Sequence, residues 1–233
     1  MPPEHHAGGA RLVPLPERAL WLPDAALLLV ADAHIGKAQS FRRLGVPVPE
    51  GTTAGTLARL DAALARCAAT GAAVRGVVFL GDLLHAARGR GAATLAAMAA
   101  WRGRHAALDL VLVRGNHDGH AGDPPADWGV SCVDEPWSPP GLGGLGGLAL
   151  AHHPEPTHAR DGRYVLAGHV HPAVVLGGRA HQRLRLPCFH FGPAVGVLPA
   201  FGEFTGSHVL PRGPADRVFA CTADAVVALP PAA

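Results

Sequence analysis

Apolar runs of strand length alternate with helical patterns along the first half of the chain. The runs expected to form buried strands are residues 19–22, 26–31, 74–80 and 108–113. The stretches expected to form helices are residues 37–44, 52–70 and 92–104. Thr52 or Thr53 is the predicted N-cap of the longest helix. This order of strand, helix, strand, helix and strand predicts an α/β arrangement with a largely parallel sheet.

The second half of the chain changes to short strands separated by glycine and proline. Those strands are expected at residues 148–151, 164–167, 184–191, 194–201, 217–221 and 225–229. They predict a second, mixed sheet that packs on the first. The Gly-rich stretch 139–147 is predicted to be a loop inside one domain that spans 10–229, with flexible termini at 1–9 and 230–233.

Composition narrows the class of protein. Of the 233 residues, 48% are hydrophobic and 16% are charged, which is typical of a globular chain and excludes a disordered one. A net charge of +2 does not by itself indicate a nucleic-acid binder. The four cysteines lack a C-x-x-C pairing, the first ten residues have no apolar signal core, and no apolar run is long enough to span a membrane. We therefore expect a reduced cytoplasmic protein with buried thiols and no membrane partner.

A polar island follows five of the predicted strands. The islands are D-A-H at 32–34, G-D-L-L-H at 81–85, G-N-H-D at 115–118, A-H-H-P at 151–154 and G-H-V-H at 168–171. An α/β fold gathers the carboxyl ends of its parallel strands at one edge, so we expect these islands to meet there. The side chains in them that are candidate metal ligands are Asp32, His34, Asp82, Asn116, His152, His169 and His171.

The donor types in the islands indicate a divalent cation. Carboxylate, imidazole and amide oxygen suit Mn²⁺, Fe²⁺ or Zn²⁺. In an extended D-A-H segment, residues i and i+2 project to the same side, so Asp32 and His34 can hold one ion. The fourth island offers His152 and His153. His152 is better placed directly after its strand and is favoured as the ligand, with His153 then lining the pocket.

The islands together resemble the motifs of the calcineurin-like metallophosphoesterases. In that family D-x-H, G-D, G-N-H-[DE], H and G-H-x-H follow one another in the order found here. The resemblance implies a four-layer α/β/β/α sandwich of two mixed β-sheets flanked by helices. It also implies two divalent metal ions, with Mn²⁺ first and Fe²⁺ or Zn²⁺ as alternatives. Phosphodiester bonds would then be hydrolysed by a metal-activated hydroxide.

The resemblance also implies a role for each side chain. It gives Asp32, His34 and His171 to the first metal, Asn116, His152 and His169 to the second, and Asp82 to both as the bridge. His117 would be the catalytic group that stabilises the transferring phosphoryl or protonates the leaving oxygen. Asp118 would orient His117, as carboxylates behind a functional histidine do.

A narrower resemblance extends from about residue 15 to 229. The stretches that carry it are 32–51, 81–85, 168–172, 186–189 and 198–206. They are similar to the ligase-associated DNA-damage-response phosphoesterases, a subfamily described as endonucleases. This implies a nuclease in bacterial DNA repair that acts on DNA beside a helicase and a ligase.

Four further residues are expected to contact substrate: Lys37, Arg43, His85 and His153. Lys37 is the only lysine in an arginine-rich chain and can contact a phosphate as a point charge. Two other functions remain open. A hydrolase of small cyclic or nucleotide phosphoesters is compatible with the mild net charge, and a non-catalytic docking subunit of a repair complex is disfavoured by the complete ligand set. The oligomeric state is open as well.

Overall fold

Two β-sheets packed face to face form the centre of the protein. A computed structural model describes residues 3–139, 147–159, 162–178 and 182–232. Most of the loop predicted at 139–147 therefore lies outside the described residues. Within them, no helix is long and apolar enough to cross a membrane.

The first sheet has seven strands in sequence order. They are β1 (His5–Ala7), β2 (Ala10–Pro14), β3 (Leu20–Leu22), β4 (Leu27–Ala31), β5 (Gly76–Leu80), β6 (Asp109–Val113) and β7 (Val130–Val133). Strands β1 to β4 pair antiparallel, whereas β4 to β7 pair parallel. The parallel half needs long crossovers, and helices supply them. Those helices are α1 (Lys37–Arg43), α2 (Thr52–Ala68), α3 (Ala92–Arg104) and α4 (Asn116–Ala121).

The second sheet is also mixed and has eight strands. They are β8 (Leu148–Leu150), β9 (Tyr164–Ala167), β10 (Pro172–Gly177), β11 (Arg183–Phe191), β12 (Val195–Val197), β13 (His208–Val209), β14 (Arg217–Cys221) and β15 (Val226–Ala228). The strand order is β13-β10-β11-β12-β9-β8, with β14 paired to β11 and β15 to β14. Strands β8, β9 and β12 run parallel to one another, so their carboxyl ends also share an edge.

Two large cores hold these layers together. One lies between the first sheet and the helices, where Phe79 and Trp101 are almost completely buried. The other lies between the two sheets and contains Leu29, Leu166 and Phe189. Phe79, Leu29 and Leu166 come from short runs buried on both faces, as in parallel sheets covered on both sides.

The predicted fold class, an α/β sandwich of two mixed sheets, is confirmed. The helical layer expected outside the second sheet is thin in the part of the chain that the structure describes. Two small apolar clusters lie apart from the two large cores, and Ala159, directly after the 3₁₀ helix Pro156–His158, packs against one of them.

Several local expectations were wrong. The N-cap of α2 is Gly51 in the left-handed region, and no threonine side chain caps the helix. The segment predicted to fray at the N-terminus contains β1, whose His5 ring stacks on Phe191 at 4.6 Å between ring centroids. This stretch is too short and polar to be recognised as a strand from the sequence. It is held in place by its pairing with β2 and by this aromatic contact. Strand β12 is much shorter than the predicted 194–201.

Candidate metal centre

The seven candidate ligands follow strands of both sheets. Asp32 follows β4, Asp82 follows β5, and Asn116 begins α4 after β6. His152 follows β8, and the G-H-V-H island follows β9. Each of these strands takes part in parallel pairing, so their carboxyl ends converge at one edge of the sandwich.

The backbone at these positions is unusual. Seven non-glycine residues in the described part of the chain have positive φ, and five of them are candidate ligands: Asp32, His34, Asp82, His169 and His171. Their φ angles lie between 46° and 70°. The expectation that D-A-H is extended was therefore wrong, because two left-handed residues direct its side chains instead. Left-handed backbone costs about 1–2 kcal/mol per L-residue, and such strain concentrates at functional sites.

Glycine permits a close approach at two points around the ligands. Gly81 has a φ of 76°, and a Cβ there would lie 2.0 Å from His152 Nδ1. A Cβ on Gly115 would lie 2.5 Å from Asp82 Oδ1. A side chain at either position would occupy space that the ligand side chains need.

Asp32, His34 and His171 form a first cluster. Their ligand atoms lie within 4.8 Å of one another, and His171 Nε2 is 3.4 Å from Asp32 Oδ1. His171 Nδ1 is 3.1 Å from the Gly206 carbonyl, which can only accept, so the ring proton is on Nδ1 in the neutral ring. Its Nε2 lone pair then faces a carboxylate oxygen. Among the described residues, Asp32 Oδ1 and His34 Nδ1 are buried without a hydrogen-bond partner.

Asn116, His152 and His169 form a second cluster. His152 Nδ1 donates to the Leu80 carbonyl at 3.1 Å, which leaves Nε2 with a lone pair. That Nε2 lies 2.8 Å from Asn116 Oδ1 and 3.0 Å from His169 Nδ1. Two electron-rich atoms at this distance are stabilised by a shared cation. A histidine that donates its other nitrogen to a backbone carbonyl is the usual arrangement of a metal ligand.

Asp82 lies between the two clusters. Its Oδ2 is 3.8 Å from His34 Nε2, and its Oδ1 is 3.6 Å from His152 Nε2. One carboxylate therefore has an oxygen near each cluster. This is the position that a bridging ligand requires.

Burial lowers the pKa of three imidazoles of the centre, those of His34, His152 and His169, and so favours their neutral form. It lowers the pKa of His34 far below its usual value, and the charges of Lys37 and His171 lower it further. Burial is also the main cause of the lowered pKa of His152 and His169. Conversely, burial raises the pKa of Asp82, and the charge of Asp32 adds to this. Neutral imidazoles beside buried carboxylates and orphaned acceptors fit divalent cations.

The geometry favours His152 over His153 as the ligand. His152 is fully buried and directed at the second cluster, whereas His153 Nδ1 lies 2.6 Å from Glu135 Oε1. Glu135 Oε2 also accepts the backbone N–H of both histidines, at 2.7 and 2.9 Å. The sequence did not single out Glu135, because β7, which precedes it, was not predicted.

His117 lies beside the clusters, but Asp118 does not orient it. His117 Nδ1 donates to the His85 carbonyl at 2.9 Å, and its Nε2 is 4.0 Å from Asp82 Oδ2. The buried Asp118 carboxylate instead accepts the backbone N–H of Asp82 at 2.7 Å and of Gly115 at 2.9 Å. The expected contact was wrong because a carboxylate within reach of buried N–H groups satisfies those first. Burial raises the pKa of Asp118 to about 6.

The four residues expected to contact substrate differ in their burial and in their contacts with the metal centre. The His85 ring stacks on His117 with 4.6 Å between centroids, and burial lowers its pKa to about 4. Lys37 is half-buried; burial lowers its pKa, and the charges of Asp32 and Asp82 oppose this. His153 lies against the second cluster. Arg43 is exposed at the end of α1 and makes no contact with the centre in the described structure.

Comparison with known proteins places the chain in a family. No protein-family model and no curated protein matches it. Among solved structures it resembles the crystal structure of Pseudomonas putida nuclease MPE, with 43% sequence identity and a TM-score of 0.80. The match covers 97% of this chain and 99% of that one. The chain belongs to the metallophosphoesterases. As a metallophosphoesterase it is an enzyme that hydrolyses phosphoester bonds.

A second solved structure is a conserved uncharacterized protein of Streptococcus pneumoniae TIGR4, described as a predicted phosphoesterase. It is 14% identical, and the match covers 83% of this metallophosphoesterase and 81% of that chain. Its TM-score of 0.30 is too low to add to the assignment.

Proposed function

We propose that this metallophosphoesterase is a DNA nuclease of the ligase-associated repair group that works with two divalent cations. The observation that carries the proposal is the 43% identity, over almost the whole of both chains, to a protein described as a nuclease. The two clusters, with Asp82 between them, support two cations. Mn²⁺ is the first candidate, with Fe²⁺ or Zn²⁺ as alternatives. A helicase and a ligase of the same repair group are the proposed partners.

The ligands divide between the two cations as the clusters do. Asp32, His34 and His171 would hold one, Asn116, His152 and His169 would hold the other, and Asp82, which has an oxygen near each cluster, would serve both. Divalent cations at these positions supply Lewis acidity for the phosphoryl oxygens and lower the pKa of an attacking water. Asp32 and Asp82 provide only two negative charges against four positive ones, so the loaded centre attracts an anionic phosphodiester.

His117 is the proposed proton donor to the leaving oxygen. The His85 carbonyl fixes the His117 ring through Nδ1, so Nε2 is the nitrogen free to hold and transfer a proton. Stacking of the His85 ring on His117 restrains the same orientation. The His117 ring is partly exposed, so a substrate oxygen can reach it.

The mild net charge of +2 favours a second candidate, a hydrolase of small cyclic or nucleotide phosphoesters. A side-by-side assay separates the candidates. The Mn²⁺-loaded enzyme is given bis-p-nitrophenyl phosphate, a cyclic nucleotide, single-stranded DNA and duplex DNA. A DNA nuclease cleaves the synthetic diester and DNA but not the cyclic nucleotide.

Three variants connect this activity to the centre. Asp82→Ala is expected to lose both activity and bound metal, because it removes the ligand near both clusters. His117→Ala is expected to lose at least about a hundredfold in kcat while retaining its metals, as a proton-transfer group does. His6→Ala, at the exposed central position of β1, is the matched control and should behave as the unsubstituted enzyme. A metal-loaded enzyme that cleaves neither a diester nor DNA refutes the proposal.

A further inference from the structure

A cavity of about 220 Å³ opens beside the candidate metal centre. The lining residues that matter here are Arg18, His171, Arg185, Glu203, Thr205 and Ser207. His171 belongs to both sites: its Nε2 is 3.4 Å from Asp32 Oδ1, and its Nδ1 is 3.1 Å from the carbonyl of Gly206 in the cavity wall. The metal centre and the cavity therefore share the His171 side chain, and a molecule bound at the centre can extend along it into the cavity.

The cavity carries excess positive charge. In the described structure, the Arg18 guanidinium makes no hydrogen bond or salt bridge. Among the described residues, Arg185 donates only to the Ser207 carbonyl, at 2.5 Å, and no carboxylate there pairs with its charge. Of the described residues that line the cavity, Glu203 is the only acidic one, and it is already paired with Arg59 at 3.3 Å. The pKa of Arg59 is lowered first by burial and then by the like charge of Arg18, so the charge of Arg18 acts on its surroundings without being neutralised.

The backbone conformation of Arg18 supports a functional role for this residue. Arg18 lies in the turn between β2 and β3, where its N–H donates to the Leu15 carbonyl at 2.9 Å. Its φ is 65°, in the left-handed region that favours glycine. An arginine at such a position is kept at a cost of about 1 kcal/mol or more, and strain of this kind indicates function.

We propose that this cavity, the Arg18–Arg185 cavity, binds the phosphate of a nucleotide next to the scissile bond. The inference rests on the proposed phosphodiesterase function and adds that the substrate is a nucleic-acid strand with at least one further phosphate. Guanidinium groups match phosphate oxygens with two parallel N–H bonds, and the hydroxyl of Ser207 is a further donor. The cavity therefore fixes the strand while the metal centre holds the bond to be cleaved.

Binding of a fluorescein-labelled single-stranded oligonucleotide in EDTA tests the cavity without cleavage. Arg18→Gln and Arg185→Gln are each expected to weaken binding by about tenfold. Each should also reduce the slope of log affinity against log salt by about 0.7, the value for one lost phosphate contact on a single strand. Arg18→Lys keeps the charge and should retain most of the slope. Arg75→Gln is the matched control, because the exposed Arg75 precedes β5 at the opposite edge of the sheet.

Hydrolysis then separates the cavity from the centre. The ratio of kcat/KM for the oligonucleotide to kcat/KM for bis-p-nitrophenyl phosphate should fall about tenfold in both glutamine variants and not in Arg75→Gln. Thermal unfolding checks that each variant folds. If Arg18→Gln does not fold, the test rests on Arg185→Gln, because Arg185 is exposed. Affinity and salt slope equal to those of Arg75→Gln overturn the inference. An absence of hydrolysis in every protein refutes the phosphodiesterase instead, while the binding comparison still decides on the cavity.

Discussion

Replacement of Asp118 by alanine tests whether this buried carboxylate holds the ligand loops or serves His117. Its oxygens accept the backbone N–H of Asp82 at 2.7 Å, of Gly115 at 2.9 Å and of Leu84 at 3.4 Å. These bonds tie the loop after β5 to the loop after β6. Without the carboxylate, the first two N–H groups remain buried without an acceptor.

The expected loss of stability in Asp118→Ala can be worked out from these hydrogen bonds. A hydrogen bond to a charged group contributes about 1.5–3 kcal/mol, so the two short bonds account for about 3–6 kcal/mol. Burial of the carboxylate, which also raises the pKa of Asp118, offsets part of this and leaves about 2–4 kcal/mol. In a chain of this length each kcal/mol lowers Tm by about 2–4 °C. We therefore expect Asp118→Ala to unfold about 10 °C lower than the unsubstituted protein.

Calorimetry in EDTA measures this Tm change without the contribution of bound metal. Metal content after loading with Mn²⁺ should fall as well, because Asp82 loses the support of its backbone. Asp127→Ala, an exposed aspartate with no side-chain hydrogen bond in the described structure, is the control. If Asp118→Ala keeps its Tm within 2 °C and its full metal content but loses kcat, the reasoning fails and a role in orienting His117 returns.

Three further perturbations probe other contacts. Glu135→Ala frees the backbone of His152 and should lower Mn²⁺ affinity about 10- to 100-fold in a metal titration; unchanged affinity would remove Glu135 from the centre. Gly81→Ala places a Cβ 2.0 Å from His152 Nδ1 at a positive φ and should destabilise by more than about 3 kcal/mol in urea, whereas an unchanged midpoint would contradict the clash. Partial burial alone would raise the pKa of Asp61, but its hydrogen bonds with His105, Arg104 and Trp101 lower this pKa in the folded protein. The stabilisation from these bonds is therefore present above the usual pKa of an aspartate, and it is lost as the pH falls through the lowered pKa of the folded state. The Tm advantage over Asp61→Asn should therefore narrow as the pH falls below about 4, the usual pKa of an aspartate, and a constant advantage would refute this.

Strands and helices with a clear period could be predicted, and so could the order of the islands between them. Strand β5 and helix α3 bury apolar residues that recur at the expected spacing. Strand β7 could not be predicted, because V-S-C-V is short and half-exposed and its pairing with β6 supplies what its composition does not. Glu135 was missed with it.

The donor types of the centre could be predicted from the sequence, but its contacts could not. Asp118 is adjacent to His117 in the chain, yet the turn at the start of α4 directs its carboxylate to backbone N–H groups of two loops. Arg18 and Arg185 lie far apart in the sequence and meet only because the two sheets are packed together. Such contacts depend on tertiary structure, which local periodicity does not encode.

The left-handed backbone of five candidate ligands sets a conflict between stability and activity. At Asp32, His34, Asp82, His169 and His171, glycine or asparagine would relieve about 1 kcal/mol or more at each position. Random mutagenesis screened only for heat resistance would therefore enrich those two residues wherever this relief exceeds the loss of side-chain contacts, at the positions proposed to hold the metals. Engineering of this enzyme for thermostability has to select for turnover at the same time, or improve the cores and leave this edge of the sandwich unchanged.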